Sequence, residues 1–214
     1  MNPDLPCLLL ATTNRGKLAE LRALLADLPL QLVSLADVLP NQPPVPEDGL
    51  TFEENALIKA RAAAKAANLL TLAEDAGLEV DALGGQPGVR SARYAGETAT
   101  DQANNAKLLS ALNGVKPDAR RARFRCVMVL LEPRRPDHPI LAEGRCEGWI
   151  NEEPRGTGGF GYDPLFQVEG LNQTLAELGQ DAKNEISHRS QAVLALKPAL
   201  QALISRRDDQ APPP

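Results

Sequence analysis

Adjacent carboxylates end an apolar, strand-like run at LLTLAED, where Glu74 and Asp75 follow Leu69–Ala73. Sites of α/β proteins gather at the C-terminal ends of strands. A carboxylate there can orient or deprotonate a water. Hard cations such as Mg²⁺ take one or two carboxylates and leave room for phosphate oxygens. Glu47, in a Pro-rich loop, and Glu53, at a helix start, are further candidates. Asn55 and Lys59 are four residues apart, so they share a helix face that could turn toward Glu74 and Asp75. A plain turn at Glu74-Asp75 and a solvated helix face are the alternatives.

Cations cluster elsewhere. Thr12-Thr13-Asn14-Arg15-Gly16-Lys17 joins a strand to a helix with hydroxyls, backbone N–H groups and a lysine, the composition of an anion site. It lacks the Walker spacing, and a simple helix cap is the other reading. Lys183 with Ser187-His188-Arg189 has phosphate- or base-binding composition at another helix start; a capped helix with solvated charges is the alternative. His138, the only other histidine, sits in the loop PRRPDHP. No Ser-His-Asp or Cys-His arrangement is present.

The run GTGGFGYDP, Gly156 to Pro164, contains a literal G-x-G-x-x-G. A dinucleotide loop needs a helix opening at its third glycine and an acidic residue about 20 positions on. Here Pro164 and the apolar Leu165–Val168 favour a turn and then a strand. The glycines permit positive φ or close backbone approach, with Phe160 and Tyr162 set between them. Scattered cations, an aromatic Gly-rich loop and paired carboxylates together suit a nucleoside polyphosphate.

The remaining elements must position these groups. Cys7–Ala11 predicts a buried strand, followed by a helix with Leu18, Leu21, Leu25 and Leu28 on one stripe and Asn14 as its cap. Asn41–Asp48 is a loop. Thr51-Phe52-Glu53-Glu54 predicts a capping box before an Ala-rich helix to about Ala67. Leu69–Ala73 and Leu78–Leu83 are expected as two strands, the second running to a turn at Gly84–Gly88. A helix over about Thr100–Asn113 stops at Gly114. Arg121–Leu131 and Ile140–Ile150 are expected to form a hairpin, with Arg120, Arg121, Arg123 and Arg125 on its solvent face. The last helix begins near Ser187 and should break or kink at Pro198. The class is mixed α/β.

The 214 residues, 43% hydrophobic and 24% charged, are ordinary for a soluble globular chain with ample core. A net charge of −5 without a dense basic stripe argues against nucleic acid as a partner. No apolar run approaches the roughly 18 residues of a membrane span. Three scattered cysteines, without zinc spacing, and no signal-like N-terminus point to a cytoplasmic protein. The Pro-rich tail 208–214, DDQAPPP, has disordered composition.

Five segments, in order, carry a resemblance: LLLATTNRGKLAEL, EDGLTFEENALIKARAAA, LAEDAGLEVDALGGQPGVRSARYAGE, GTGGFGYDPLF and ISHRSQA. Across about residues 8–197 the chain resembles the inosine triphosphate pyrophosphatase family, in its bacterial dITP/XTP branch. The resemblance implies an α/β fold with an elongated mixed sheet flanked by helices, two lobes with a substrate cleft between them, and one domain over 1–207. It implies a homodimer that hydrolyses non-standard purine triphosphates to monophosphate and pyrophosphate with Mg²⁺. Thr12, Thr13, Asn14, Arg15, Gly16 and Lys17 would hold the triphosphate, joined by Lys59. Asp75 would activate water and ligate Mg²⁺ with Glu74 and Glu47. Phe160, Gly161, Tyr162 and Asp163 would receive the base, and Lys183, His188 and Arg189 would read its 6-oxo edge and sugar. Ala76 takes the place of a serine common in the family, and Thr13 that of a frequent glycine. Other modified or pyrimidine triphosphates, or a non-catalytic nucleotide sensor, are the alternative readings.

Overall fold

The computed structural model describes residues 5–43 and 45–208. Six strands form one mixed sheet in the order β2-β1-β3-β4-β5-β6. They are β1 (Cys7–Leu10), β2 (Gln31–Ser34), β3 (Leu70–Val80), β4 (Arg121–Leu131), β5 (Ile140–Ile150) and β6 (Phe166–Val168). Strand β1 pairs in parallel with β2 and β3, whereas β5 and β6 are antiparallel. The helices are α1 (Arg15–Leu24), α2 (Leu35–Val38), α3 (Phe52–Ala67), α4 (Asp101–Ala111), α5 (Gln180–Ile186) and α6 (His188–Asp208).

The chain divides into two compact units, one of Met1–Asp75, Val127–Glu143 and Ala192–Pro214, the other of Ala76–Cys126 and Gly144–Gln191. In the first, Asn14 caps α1 by accepting from the Lys17 N–H, and Leu8–Leu10 of β1, Leu21 and Leu25 are all buried. Helix α3 buries Ala56, Ala60 and Ala63, small enough to let its backbone sit close to its neighbours. Its cap is a shifted capping box: Thr51 Oγ1 accepts from the Glu54 N–H, but the Glu54 carboxylate accepts from Leu50 rather than from Thr51. In the second unit, Leu78, Leu108, Leu112, Phe124, Tyr162, Leu165 and Phe166 form the core.

Several expectations are corrected. Leu69–Ala73 and Leu78–Leu83 belong to one continuous strand, β3, followed by a 3-10 turn at Asp81–Leu83. Glu74 and Asp75 therefore lie in mid-strand, and both are buried. Strand β2 and helix α2, four residues each, are additions, as is α5. Helix α6 continues through Pro198. Pro198 is exposed and the preceding turn at Leu194 is 68% exposed, so solvent can satisfy the carbonyl that proline leaves free. Arg121, Arg123 and Arg125 are half-buried and alternate with buried Ala122, Phe124 and Cys126, as expected. Arg120 is instead buried and donates to the carbonyls of Leu112 and Val115. The proposed tail lies outside the described residues apart from Asp208, which ends α6.

Candidate active site

In the first unit the polar groups converge on Asp75. Lys59 Nζ, from α3, lies 2.8 Å from Asp75 Oδ1 and 3.1 Å from Glu47 Oε2. Asn55, one turn earlier, donates from Nδ2 to Asp75 Oδ2 at 3.2 Å. The shared helix face of Asn55 and Lys59 thus meets Asp75. Asn55 is itself oriented, because its Oδ1 accepts from the Gly49 N–H at 2.9 Å. A Cβ on Gly49 would meet that Oδ1 at 2.7 Å, so only glycine allows the approach. The neighbouring Glu74 pairs with Lys17 of α1 at 3.3 Å. Two carboxylates are tolerated inside a strand because two lysines from separate helices reach them.

Burial pushes the Asp75 carboxyl above the ordinary carboxylate range, with the charges of Lys59 and Lys17 pulling the other way. Burial works against the charged Lys59, but Asp75 and then Glu47 outweigh it and raise its pKa. A partly desolvated carboxylate with reduced acidity is a better proton acceptor than a solvated one.

The Thr12–Lys17 segment is a turn and helix start. Thr12 Oγ1 accepts from the Asn14 N–H, Thr13 and Arg15 are exposed, and Gly16 lies in the first turn of α1, which carries no acidic residue. Its positive end is therefore open to an anion. Among the described residues no three His, Cys, Asp or Glu side chains converge as a preformed metal cage. The donors at hand still fit Mg²⁺: oxygen only, with the Asp75 and Glu47 carboxylates both drawn to one ammonium. A cavity lined by Asn68, Glu132, Arg134, Arg135 and Arg206 shares no residue with this cluster.

In the second unit Asp163 plays the central part. Its Oδ2 accepts from Lys183 Nζ at 2.6 Å and from the Phe160 N–H at 3.0 Å. Gly159, at φ +72°, has no room for a Cβ because the Asp163 carboxylate occupies that space. Gly156 and Gly161 also have positive φ, and the loop leads to β6 rather than to a helix, so the dinucleotide reading fails. Lys183 Nζ lies 4.9 Å and the Arg189 guanidinium 5.8 Å from the Phe160 ring centroid. Lys183, His188 and Arg189 are all buried, and His188 stacks on Phe124 with ring centroids 4.8 Å apart. Tyr162 differs from the rest of the set. Its ring belongs to the core and its hydroxyl donates to the Ser91 carbonyl, leaving only its backbone for a ligand. Ala76 is a half-buried position of β3. Sequence reasoning missed Phe124, Ser91, Asp101 and Asn105, because nothing local in the chain marks a contact made across tens of residues.

Buried lysine–carboxylate pairs beside an anion-ready helix start suit a polyphosphate. A half-buried phenyl ring flanked by two donor-only cations suits a planar base with carbonyl acceptors. A chain equipped for both is a nucleotide-binding α/β protein. It belongs to the Ham1 family, whose model matches residues 8–199. It is 54% identical over 190 residues to a dITP/XTP pyrophosphatase of Geobacter sulfurreducens, covering 89% of this chain and 94% of that one. It is 55% identical over 196 residues to another from Desulforamulus reducens, covering 92% and 94%. The HAM1 protein structure from Coxiella burnetii superposes with a TM-score of 0.84 at 44% identity, covering 92% of this chain and all of that one.

Proposed function

We propose that this chain hydrolyses non-standard purine nucleoside triphosphates (ITP, dITP and XTP) to the monophosphate and pyrophosphate. The observation that carries the reading is Asp75, buried in mid-strand and held by Lys59 and Asn55. Asp75 would take a proton from a water as its oxygen attacks the α-phosphorus. The bond to the α–β bridging oxygen breaks, and pyrophosphate leaves with that oxygen. Burial raises the Asp75 pKa and the Lys59 charge works against that rise, and Asn55 would orient the carboxylate. Lys17 and the Thr12–Lys17 turn would hold the phosphates, in keeping with the exposed positive end of α1. Asp75, Glu74 and Glu47 would hold Mg²⁺, which when bound supplies charge neutralisation for the triphosphate.

The base would rest against Phe160. Lys183 gives one of its three N–H donors to Asp163, and neither it nor Arg189 can accept a hydrogen bond. A 6-oxo purine would present an acceptor to these donor-only side chains, where adenine presents an amino group at the same position. The relatives' printed names support this substrate class. We also infer a cytoplasmic homodimer, supported by the family resemblance and by three free cysteines.

The test is pyrophosphate release with Mg²⁺ across ITP, dITP, XTP, GTP, ATP and UTP. Preference for the first three supports reaction and specificity together. Preference for UTP moves the chain to another substrate class, and binding without release makes it a sensor. Light scattering should give twice the 22.9 kDa chain mass.

A further inference from the structure

Helix α4 holds the base loop at one point, from both sides. Asp101, in its first turn, accepts the Gly161 N–H at 2.7 Å through Oδ2. Asn105, one turn later, donates from Nδ2 to the Gly161 carbonyl at 3.0 Å. Residues four apart on a helix point the same way, so one face presents an acceptor and a donor matched to a single residue's backbone. Gly161 takes φ +64°, and a Cβ there would meet nothing within 4 Å. The two hydrogen bonds therefore hold a left-handed residue around which there is open space.

The same helix secures the neighbouring segment. Asn104 accepts from the Ala95 N–H and donates to the Ala92 carbonyl, and Lys107 donates to the Tyr94 carbonyl. Tyr162, next to Gly161, is tied to the Ser91 carbonyl. Phe160, on the other side, is tied through its N–H to Asp163. Asp101 and Asn105 thus hold the two peptide groups that flank Gly161, the residue between Phe160 and the anchored Tyr162.

We propose that Asp101 and Asn105 are positioning residues for base recognition: by clasping Gly161 they fix where the Phe160 ring is presented, and so set affinity for the purine while leaving phosphate binding and the chemical step alone. The inference rests on the substrate reading given above. A looser loop costs ordering on binding, which weakens the base contact without touching Asp75 or its lysines.

The experiment measures KM and kcat for ITP, with inorganic tripolyphosphate as a competitive inhibitor that lacks a base, in wild type, Asp101→Ala, Asn105→Ala and Asp101→Asn. Each alanine variant should raise KM for ITP about tenfold with kcat within about twofold, the size expected of a lost or charge-assisted hydrogen bond. The inhibition constant of tripolyphosphate should not move. Asp101→Asn keeps an acceptor oxygen and should return KM to near the wild-type value. Unchanged KM in the alanine variants overturns the clasp, as does a tripolyphosphate constant that rises in step with KM. Should an alanine variant fail to fold, Asn105→Asp keeps the side-chain size while setting a carboxylate against the Gly161 carbonyl, and it must show the same KM rise. A wild-type chain that releases no pyrophosphate from ITP sinks the substrate reading and the clasp with it; a wild-type chain that turns over beside variants of unchanged KM sinks the clasp alone.

Discussion

Each unit contains a buried aspartate–lysine pair, and the two are built for opposite ends. Asp75 and Lys59 meet at 2.8 Å, Asp163 and Lys183 at 2.6 Å. Asp75 stands in the middle of strand β3 and is buried there. Its contacts are side chains, Asn55 and Lys59, both from α3. Asp163 stands in a loop and caps the Phe160 N–H, so its carboxylate is part of the loop's structure. A salt bridge between side chains on rigid elements can tune reactivity. The same salt bridge involving a loop's backbone mostly fixes shape.

The largest effect expected from this contrast is at Asp75. Asp75→Asn should lower kcat by about a thousandfold or more, within the range for a lost general base. Its melting temperature should stay within a few degrees of wild type. The raised carboxyl pKa makes the ionised group a stability cost at neutral pH. That stability is present below the usual carboxylate pKa and is lost as pH rises through the folded value, so a neutral amide relieves it. An Asp75→Asn chain with normal turnover would remove the residue from the mechanism.

Asp163→Asn should do the reverse. It leaves Lys183, 3% exposed, without its nearest carboxylate. Breaking a buried pair costs about 3–5 kcal/mol, which for a chain of this size lowers the melting temperature by on the order of 10 °C. KM should rise more than kcat falls. If calorimetry shows the melting temperature unmoved while kcat collapses, the two pairs are not different in kind.

The third prediction separates tuning from holding. The Lys59 charge pulls the Asp75 pKa down against burial. Lys59→Met should therefore move the acid limb of the kcat/KM profile to higher pH by about one unit or more. The direction follows because a base works only when deprotonated, and activity appears only above its pKa. A limb that stays put means Lys59 serves the phosphates alone.

How much of this was legible in the chain depends on where the signal lies. Strands β4 and β5 were readable to their ends because apolar alternation stops at the Pro-rich loop between them. The caps at Asn14 and Thr51 were readable because capping is local. Strand β3 was cut in two at Glu74-Asp75, since charges in mid-strand normally mark an end. Here Lys17 and Lys59 make them tolerable, and neither lysine is near them in sequence. Arg120 looked like a solvent-facing member of an arginine run, yet it buries itself on the carbonyls that end α4. Strand β2 and helix α2 are too short for any period to show; pairing with β1 and the Ser34–Asp37 capping box hold them.

The smallest effect concerns Cys146, which feels the second pair from the side. Burial first, then the charges of Glu147 and Asp163, push its thiol up to about 12 against the pull of Lys183. In the unfolded chain a thiol loses its proton near its ordinary value of 9.0. Below that pH both states keep the proton, and the thiol's contribution to stability is fully present. Between about 9 and 12 only the unfolded state has released it, so stability falls as pH rises, by at most about 1.4 kcal/mol per pH unit for one proton. Cys146→Ala should flatten that part of the stability curve and leave neutral-pH turnover alone. Asp163→Asn, by removing one of the charges that hold the folded thiol protonated, should end the fall at a lower pH, while its onset, set by the unfolded chain, stays near 9.0. Asp75→Asn should not move that end point. Chemical unfolding from pH 8 to about 12 reads all three. An end point that shifts equally in both asparagine variants would mean the thiol answers to overall charge and not to the pair beside it.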